Sequence, residues 1–423
     1  MRTTQVIQPV FIVGADRSPM TKKSKPAQAW YQPWTKKAGK LSGVHPVDLG
    51  VAVVDALVLR AGLKNRAAVE EVSFGCATPT GEQGFNVGKN IASIALGKNV
   101  PASTVQFLCG SSLMATRNLA ALIALGEIDL AVAGGVESMS RVGMGSDVLP
   151  PPTSLKNMRA VMKMGQKVAK LTMHPKAQIT PMNISAALIA EEYGFTSREM
   201  NQFSIESHQK AKKAKEEGKF STEIVPIETG RGKVEDSDDG IKEFNHSAFS
   251  RMFPPRWGNV SAGNCSQEMD GAAALLLASQ DALNEYGLEP RAKIVASAVS
   301  ATINGDPKLQ LTATVDAMEK VVKSVQIATG DEKFSLQDID LFEINEAFAP
   351  VVLATQEDTG IPSSKINVNG GAIALGHPLG ASGTRLITTL LHELEAQDKR
   401  YGLVVLCVGG GQAIAMIIDR KDL

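Results

Sequence analysis

The chain has no CxxC pair. Its four cysteines, Cys76, Cys109, Cys265 and Cys407, stand far apart, so neither a zinc site nor a disulfide framework is expected. Free thiols in a reducing compartment are the default. Net charge is also missing: 44 Lys and Arg balance 44 Asp and Glu, which gives no case for nucleic acid or a membrane surface as partner. No apolar run approaches the ~18 residues of a membrane span; GAAALLLA, residues 271–278, is among the longer ones. The N-terminus lacks a signal h-region with a cleavage site and is not an Arg- and Ser-rich transit peptide. The terminal KDL is not a common peroxisomal tripeptide. A cytoplasmic location follows by elimination.

What remains is a 423-residue chain, 43% apolar, 21% charged and 5% aromatic, as a soluble protein of two or three domains with a substantial core would have. Short apolar strands (10–13, 72–75, 130–133, 292–298, 339–344) alternate with helical patterns (47–61, a helix opening near Cys109, 315–328). A Gly-rich turn and helix (370–394) and a hairpin-like run (403–418) follow. That alternation predicts α/β layers. GEIDLAVAGGVE (126–137) resembles KRYGLVVLCVGGGQ (399–412), and VEEVSFGCA (69–77) resembles IDLFEINEA (339–347), so an internal duplication is expected. Matching the double glycines places Cys109 opposite Thr384, with a helix start in both halves.

Residues 141–260 differ in texture. They carry Pro150, Pro151 and Pro152, a Met- and Lys-bearing helix (155–171), a charged helix (198–219) with a solvated face, and a polar loop (229–244). They read as an insertion laid over the first half. A basic loop at 21–43 holds two of the three tryptophans; it reads as a surface or subunit-contact loop.

Four stretches carry chemistry. In TVQFLCGSSLMAT (104–116), Cys109 sits where an extended segment turns into a helix, and a helix N-terminus favours a thiolate. In NVNGGAIALGHPLGASGTRL (367–386), five glycines present one imidazole, His377, suited to act as a base. In CVGGGQ (407–412), Cys407 ends an apolar strand before three glycines whose N–H groups can face an oxyanion; a plain hairpin turn is the alternative. In INEAF (344–348), Asn345 and Glu346 end a buried strand, and Glu346 can simply accept backbone hydrogen bonds. Two thiols, an imidazole and an amide suit acyl chemistry on thioesters: one thiol carries the acyl group, the other moves a proton at a carbon α to a carbonyl. A cysteine protease needs no second cysteine with a glycine turn.

Together with ADRSP, AGGVESMS and SAGNCSQEMDGAAA, these stretches resemble the thiolases, acyl-CoA C-acyltransferases, over nearly the whole chain. The resemblance implies an α/β fold of five layers, αβαβα, from two duplicated halves of mixed sheet plus an inserted loop domain. It divides the chain into an N-terminal half (1–140 and 269–289), a loop domain covering the active site (141–268) and a C-terminal half (290–423). It implies Cys109 as acylated nucleophile, His377 as its base and Cys407 as the acid/base at the α-carbon. Asn345 would fix a water in an oxyanion hole shared with His377, and the N–H groups of Cys109 and Gly409 would form a second hole. Ser266 and Ala262 would contact pantetheine, and Met182 and Phe348 would line the acyl tunnel. No metal or prosthetic group is implied. Coenzyme A and acyl-CoA are the substrates, in fatty acid β-oxidation or acetoacetyl-CoA metabolism, and the assembly is a homodimer or homotetramer. The chain departs from the family pattern at Gln106, Ser112, Cys265 and Gln267. Two other readings stand beside this one. A decarboxylating ketoacyl-synthase-like enzyme would lack the second cysteine, and a non-catalytic acyl-CoA-binding paralogue would not need all four site residues.

Overall fold

Strands that are apolar on both faces must be covered on both faces. In the computed structural model, described for residues 8–23, 38–144, 146, 181–229, 232–302, 311–421 and 423, that requirement produces the layers. The main strands are β1 (Val10–Arg17), β2 (Glu71–Gly75), β3 (Ala102–Val105), β4 (Leu130–Ser138), β5 (Met269–Ala278), β6 (Ala292–Ala301), β7 (Leu341–Ile344), β8 (Tyr401–Val408) and β9 (Gln412–Asp419). The main helices are α1 (Pro46–Arg60), α2 (Val87–Ala95), α3 (Ser111–Ala124), α4 (Met182–Glu192), α5 (Ser197–Glu216), α6 (Ala313–Thr329), α7 (Ala349–Thr359) and α8 (Ser382–Ala396).

Side chains alternate between layers along each strand. Phe11 and Val13 of β1 join a core with α1 and α2, whereas Val10 and Ile12 join a central core built on α3 and α8. In the second half, Leu403 and Val405 pack under α6 while Val404 and Leu406 face the central helices. The order is therefore α1/α2, half-sheet, α3/α8, half-sheet, α6/α7, the five-layer α/β architecture expected. Among the described residues, no helix is long and apolar enough to cross a membrane.

The duplication is written in the pairings. The strands run β7-β8-β9-β6-β1-β5-β4-β2-β3. The parallel pair β2–β4 is matched by β7–β8, and antiparallel β4–β5 and β5–β1 by β8–β9 and β9–β6. Even the irregularities agree, at Ile12/Gly14 in β1 and Ile294/Ala296 in β6. β3 has only a stub of a counterpart, the parallel bridge between Phe342 and Ile366. β1 and β6 join the halves.

The double glycines, however, do not correspond. Gly134 and Gly135 lie within β4, while the matched Gly409 and Gly410 lie in the turn between β8 and β9, Gly410 at φ 83°. The helix starts set the true register: a short turn, Leu108–Gly110, precedes α3, and its twin Leu379–Ala381 precedes α8. Cys109 thus stands opposite Gly380, not Thr384. The two turns also touch β4 closely. A Cβ on Gly135 would run into the Gly380 carbonyl and lie 2.7 Å from Ser112 Cβ and 2.9 Å from Ala381 Cα. Gly135→Ala is expected to lose about 1–3 kcal/mol by overpacking, read as a lower urea midpoint. Gly43, with nothing within 4 Å of its Cβ position, serves as a neutral control; equal midpoints for both variants would refute the contact.

The intervening segment covers more than the first half. α5 starts with a capping box between Thr196 and Glu199. Its Ala211 and Ala214 pack with Met20, Met269, Ala374 and Leu375, and α4 lies against Val351 and Ala354 of α7. The polar loop is likewise anchored. Asp238 forms a bidentate pair with buried Arg17 at 2.8 and 2.9 Å, whose Nε bonds Glu223 at 2.7 Å. Most of the Trp-bearing loop and the 155–171 helix lie outside the described residues.

Candidate active site

Cys109 lies in the Leu108–Gly110 turn, immediately before α3. Leu108 adopts φ 45°, an uncommon conformation for a bulky residue. The Ser111 hydroxyl holds that turn, donating to the Leu108 carbonyl at 2.6 Å and accepting from the Phe107 N–H at 2.9 Å. Gly110 leaves room for β8 and β9, since a Cβ there would sit 2.9 Å from Val408 Cγ2 and 3.0 Å from Ile414 Cγ2. The Cys109 sulfur faces its own N–H and that of Gly409. Both favour a thiolate, but burial outweighs them, the Glu137 charge adds to burial, and the thiol is pushed up to about 11.

Cys407, one strand away and fully buried, is also raised, by burial and then by the proximity of Cys109. It belongs to an apolar cluster with Met182, Ala186, Ile189, Leu311, Ala347 and Phe348. The turn after β8 is a hairpin and a hydrogen-bond donor at once. A Cβ on Gly409 would lie 2.8 Å from Leu108 Cδ1 and 3.8 Å from Met182 Sδ, so the backbone alone approaches the thiol.

His377 arrives on a segment braced from three sides. Buried Glu346 accepts from Ser207 Oγ at 2.7 Å, Ile373 N at 3.0 Å and Asn367 Nδ2 at 3.1 Å. Its carboxylate fills the space a Cβ on Gly371 would take. Gln267 Nε2 donates to the Ile373 carbonyl at 2.8 Å, and the Gln267 carbonyl accepts the His377 N–H at 2.9 Å. The imidazole is 4% exposed. Its Nδ1 is 2.6 Å from Ser382 Oγ and its Nε2 3.4 Å from Asn345 Nδ2. Burial first, and the Arg385 charge second, push it down to about 3, so the ring is neutral. Asn345 Oδ1 is buried with no hydrogen-bond partner among the described residues, an acceptor left unsatisfied.

Cys109 and Gly409, Cys109 and Cys407, Asn345 and His377, and Cys407 with Met182 and Phe348 are thus brought together. Ser266 is half-buried and its N–H donates to the Ala347 carbonyl at 3.0 Å, next to a bridge between Cys265 and Phe348. Ala262 is exposed, on the Ala262–Asn264 turn. Among the described residues, no cluster of three or more His, Cys, Asp or Glu could hold a metal.

Sequence reading missed Glu137. Its carboxylate accepts from Ala77 N at 2.8 Å, Gln83 Nε2 at 2.8 Å, Gly380 N at 2.9 Å and Thr78 N at 3.3 Å, tying the loop after β2 to the turn opposite Cys109. The available signal was a lone acid in the apolar run LAVAGGVES.

The chain is similar to known proteins over most of its length. Residues 10–281 match the family model described as thiolase, N-terminal domain, and residues 288–420 the one described as thiolase, C-terminal domain. A β-ketoadipyl-CoA thiolase of Acinetobacter baylyi is 38% identical over 408 residues, covering 92% of this chain and 97% of the relative. A 3-ketoacyl-CoA thiolase of Bacillus subtilis is 36% identical over 399 residues, covering 90% and 95%. Among solved structures, the Bacillus anthracis acetyl-CoA acetyltransferase superposes with TM-score 0.82 at 31% identity, covering 98% of this chain and 100% of that one. Human mitochondrial 3-ketoacyl-CoA thiolase in complex with CoA gives TM-score 0.82 at 29% identity, covering 98% and 99%.

Proposed function

This chain belongs to the thiolase family, and from that premise we propose that it cleaves 3-ketoacyl-CoA with coenzyme A, or runs the reverse condensation, through an acyl group carried on Cys109. The observation that carries the reading is the Cys109 sulfur facing the N–H groups of Cys109 and Gly409, two residues beyond a second buried thiol. In the cleavage direction His377 Nε2 takes the Cys109 proton, and sulfur attacks the C3 carbonyl. The C2–C3 bond breaks, and its electron pair becomes the enolate of acetyl-CoA, whose thioester oxygen is held beside His377 and Asn345. Cys407 gives its proton to C2. A second coenzyme A then passes its thiol proton to the Cys407 thiolate and attacks the acyl carbon, while the N–H groups of Cys109 and Gly409 hold the tetrahedral oxyanion; its collapse breaks the bond to Cys109, releases the shortened acyl-CoA, and the Cys109 sulfur takes its proton back from His377. No prosthetic group enters these steps.

Cys407 shares a cluster with Met182, Ile189, Leu311 and Phe348, and these apolar neighbours favour aliphatic acyl chains. A thiolysis panel of 3-ketoacyl-CoA from C4 to C16, with β-ketoadipyl-CoA alongside, tests this. Acetyl-CoA and a shortened acyl-CoA are expected from aliphatic substrates, only when coenzyme A is supplied. Turnover of β-ketoadipyl-CoA alone would overturn the chain preference, and turnover of none would overturn the activity. The reading includes the division at 1–140 with 269–289, 141–268 and 290–423, a homodimer or homotetramer, and a cytoplasmic location. The open edge of β3 and Phe85, 98% exposed, support self-association.

A further inference from the structure

An imidazole with one proton can carry it on either ring nitrogen, and only one choice leaves Nε2 able to receive a proton. Burial and the Arg385 charge keep His377 neutral, so the neighbours of the ring decide. Two of them bear on it. Ser382 Oγ is 2.6 Å from Nδ1 and 2.9 Å from the Pro378 carbonyl. A carbonyl oxygen only accepts, and a hydroxyl has one proton to give. With that proton directed at Pro378, in the four-residue back-bond common to serine at a helix start, Ser382 Oγ must accept from Nδ1–H. The other nitrogen agrees, because the Asn345 amide nitrogen, a donor, faces Nε2 at 3.4 Å.

We propose that Ser382 is a positioning residue for the reaction: it fixes the His377 proton on Nδ1 and so leaves the Nε2 lone pair free for the Cys109 proton. Ser382 opens α8, and its neighbours make the arrangement rigid. The hydroxyl is fully buried, the preceding turn is closed by the Ala381 N–H on the Pro378 carbonyl at 2.9 Å, and Glu137 holds the Gly380 N–H. The helix start that stands opposite Cys109 in the duplicated fold therefore supplies no nucleophile. It supplies the hydroxyl that orients the base. The part played by Ser382 rests on the reading of His377 as the base of Cys109.

The test uses the full-length protein without substrate first. Nitrogen-15 NMR of histidine-labelled protein, with His377 assigned by loss of its signals in His377→Asn, should show a protonated Nδ1 and an unprotonated Nε2. Ser382→Ala should mix the two tautomers and slow acylation of Cys109 by acetyl-CoA about 10²-fold, whereas Ser382→Thr, which keeps the hydroxyl, should restore both signals and rate. A wild-type ring with its proton on Nε2 would overturn the proposal, and so would Ser382→Ala acylating at the parental rate. Should Ser382→Ala fail to fold, the wild-type spectrum and the threonine variant still decide. Absence of acylation in the parent, with the Nδ1–H tautomer intact, would instead refute the thiolase activity and leave the tautomer assignment standing.

Discussion

Cys109→Ala is expected to show no mass increase when mixed with acetyl-CoA, where the parent protein gains one acetyl group on Cys109, and to lose thiolysis by about 10⁴-fold or more. The size of the effect follows from the second thiol being unsuited to replace the first. Cys407 is buried among apolar side chains and lacks the paired N–H groups that face Cys109. The protonation states add a signature that a merely misfolded variant would not have. With its thiol pushed up to about 11, Cys109 is only about 10⁻⁴ ionised at pH 7 in the free protein. His377, pushed down to about 3, holds no stored proton charge to pair with a thiolate. Alkylation of the free protein by iodoacetamide should therefore speed up about tenfold per pH unit between pH 7 and pH 10, without a plateau. Acylation by acetyl-CoA should be much less steep, because the proton passes to His377 only as the sulfur attacks. A flat alkylation profile above pH 7 would mean a resting thiolate and would sink this account of Cys109.

The layers were legible in the sequence because they depend on local patterns. Runs such as Leu130–Ala133 in β4, Ala272–Ala278 in β5 and Leu403–Val408 in β8 are apolar at every position, and only a strand covered on both faces needs that. The family motifs placed Cys109, Asn345, His377 and Cys407 on the chain. What holds them in place was not legible, because it is long-range. Glu137 reaches Gly380 across 243 positions, and Gln267 reaches Ile373 across 106. Gln267 looked like a departure from the pattern and turns out to brace the histidine segment. Asp238 looked like part of a polar loop, yet it is buried and paired inside the protein with Arg17. The two double glycines misled for a physical reason: the same dipeptide serves close packing inside β4 and a positive-φ turn after β8. A sequence shows that glycine is needed without showing which need it meets.

Cys407→Ala separates the two thiols by function. In the proposed reaction acylation uses Cys109, the N–H pair and His377, none of which the substitution removes, so acetyl-CoA should still label Cys109, within about tenfold of the parental rate. Carbon–carbon chemistry needs a proton delivered to, or taken from, the α-carbon, and Cys407, which shares a cluster with Met182, Phe348 and Ala347 beside Cys109, is the group proposed to move it. Thiolysis of 3-ketoacyl-CoA should therefore fall about 10³-fold or more, and exchange of deuterium into the methyl group of acetyl-CoA should stop. The raised thiol fixes the sign of the pH response. A group kept protonated by burial and by the neighbouring sulfur is ready as an acid at neutral pH, so the cleavage direction needs no prior ionisation of Cys407. The condensation direction must take a proton from carbon onto the Cys407 thiolate, and it should gain more than cleavage does as pH rises. Equal loss of acylation and thiolysis in Cys407→Ala would mean that the second sulfur supports the first rather than acting on carbon. Retained deuterium exchange would mean that another group moves that proton.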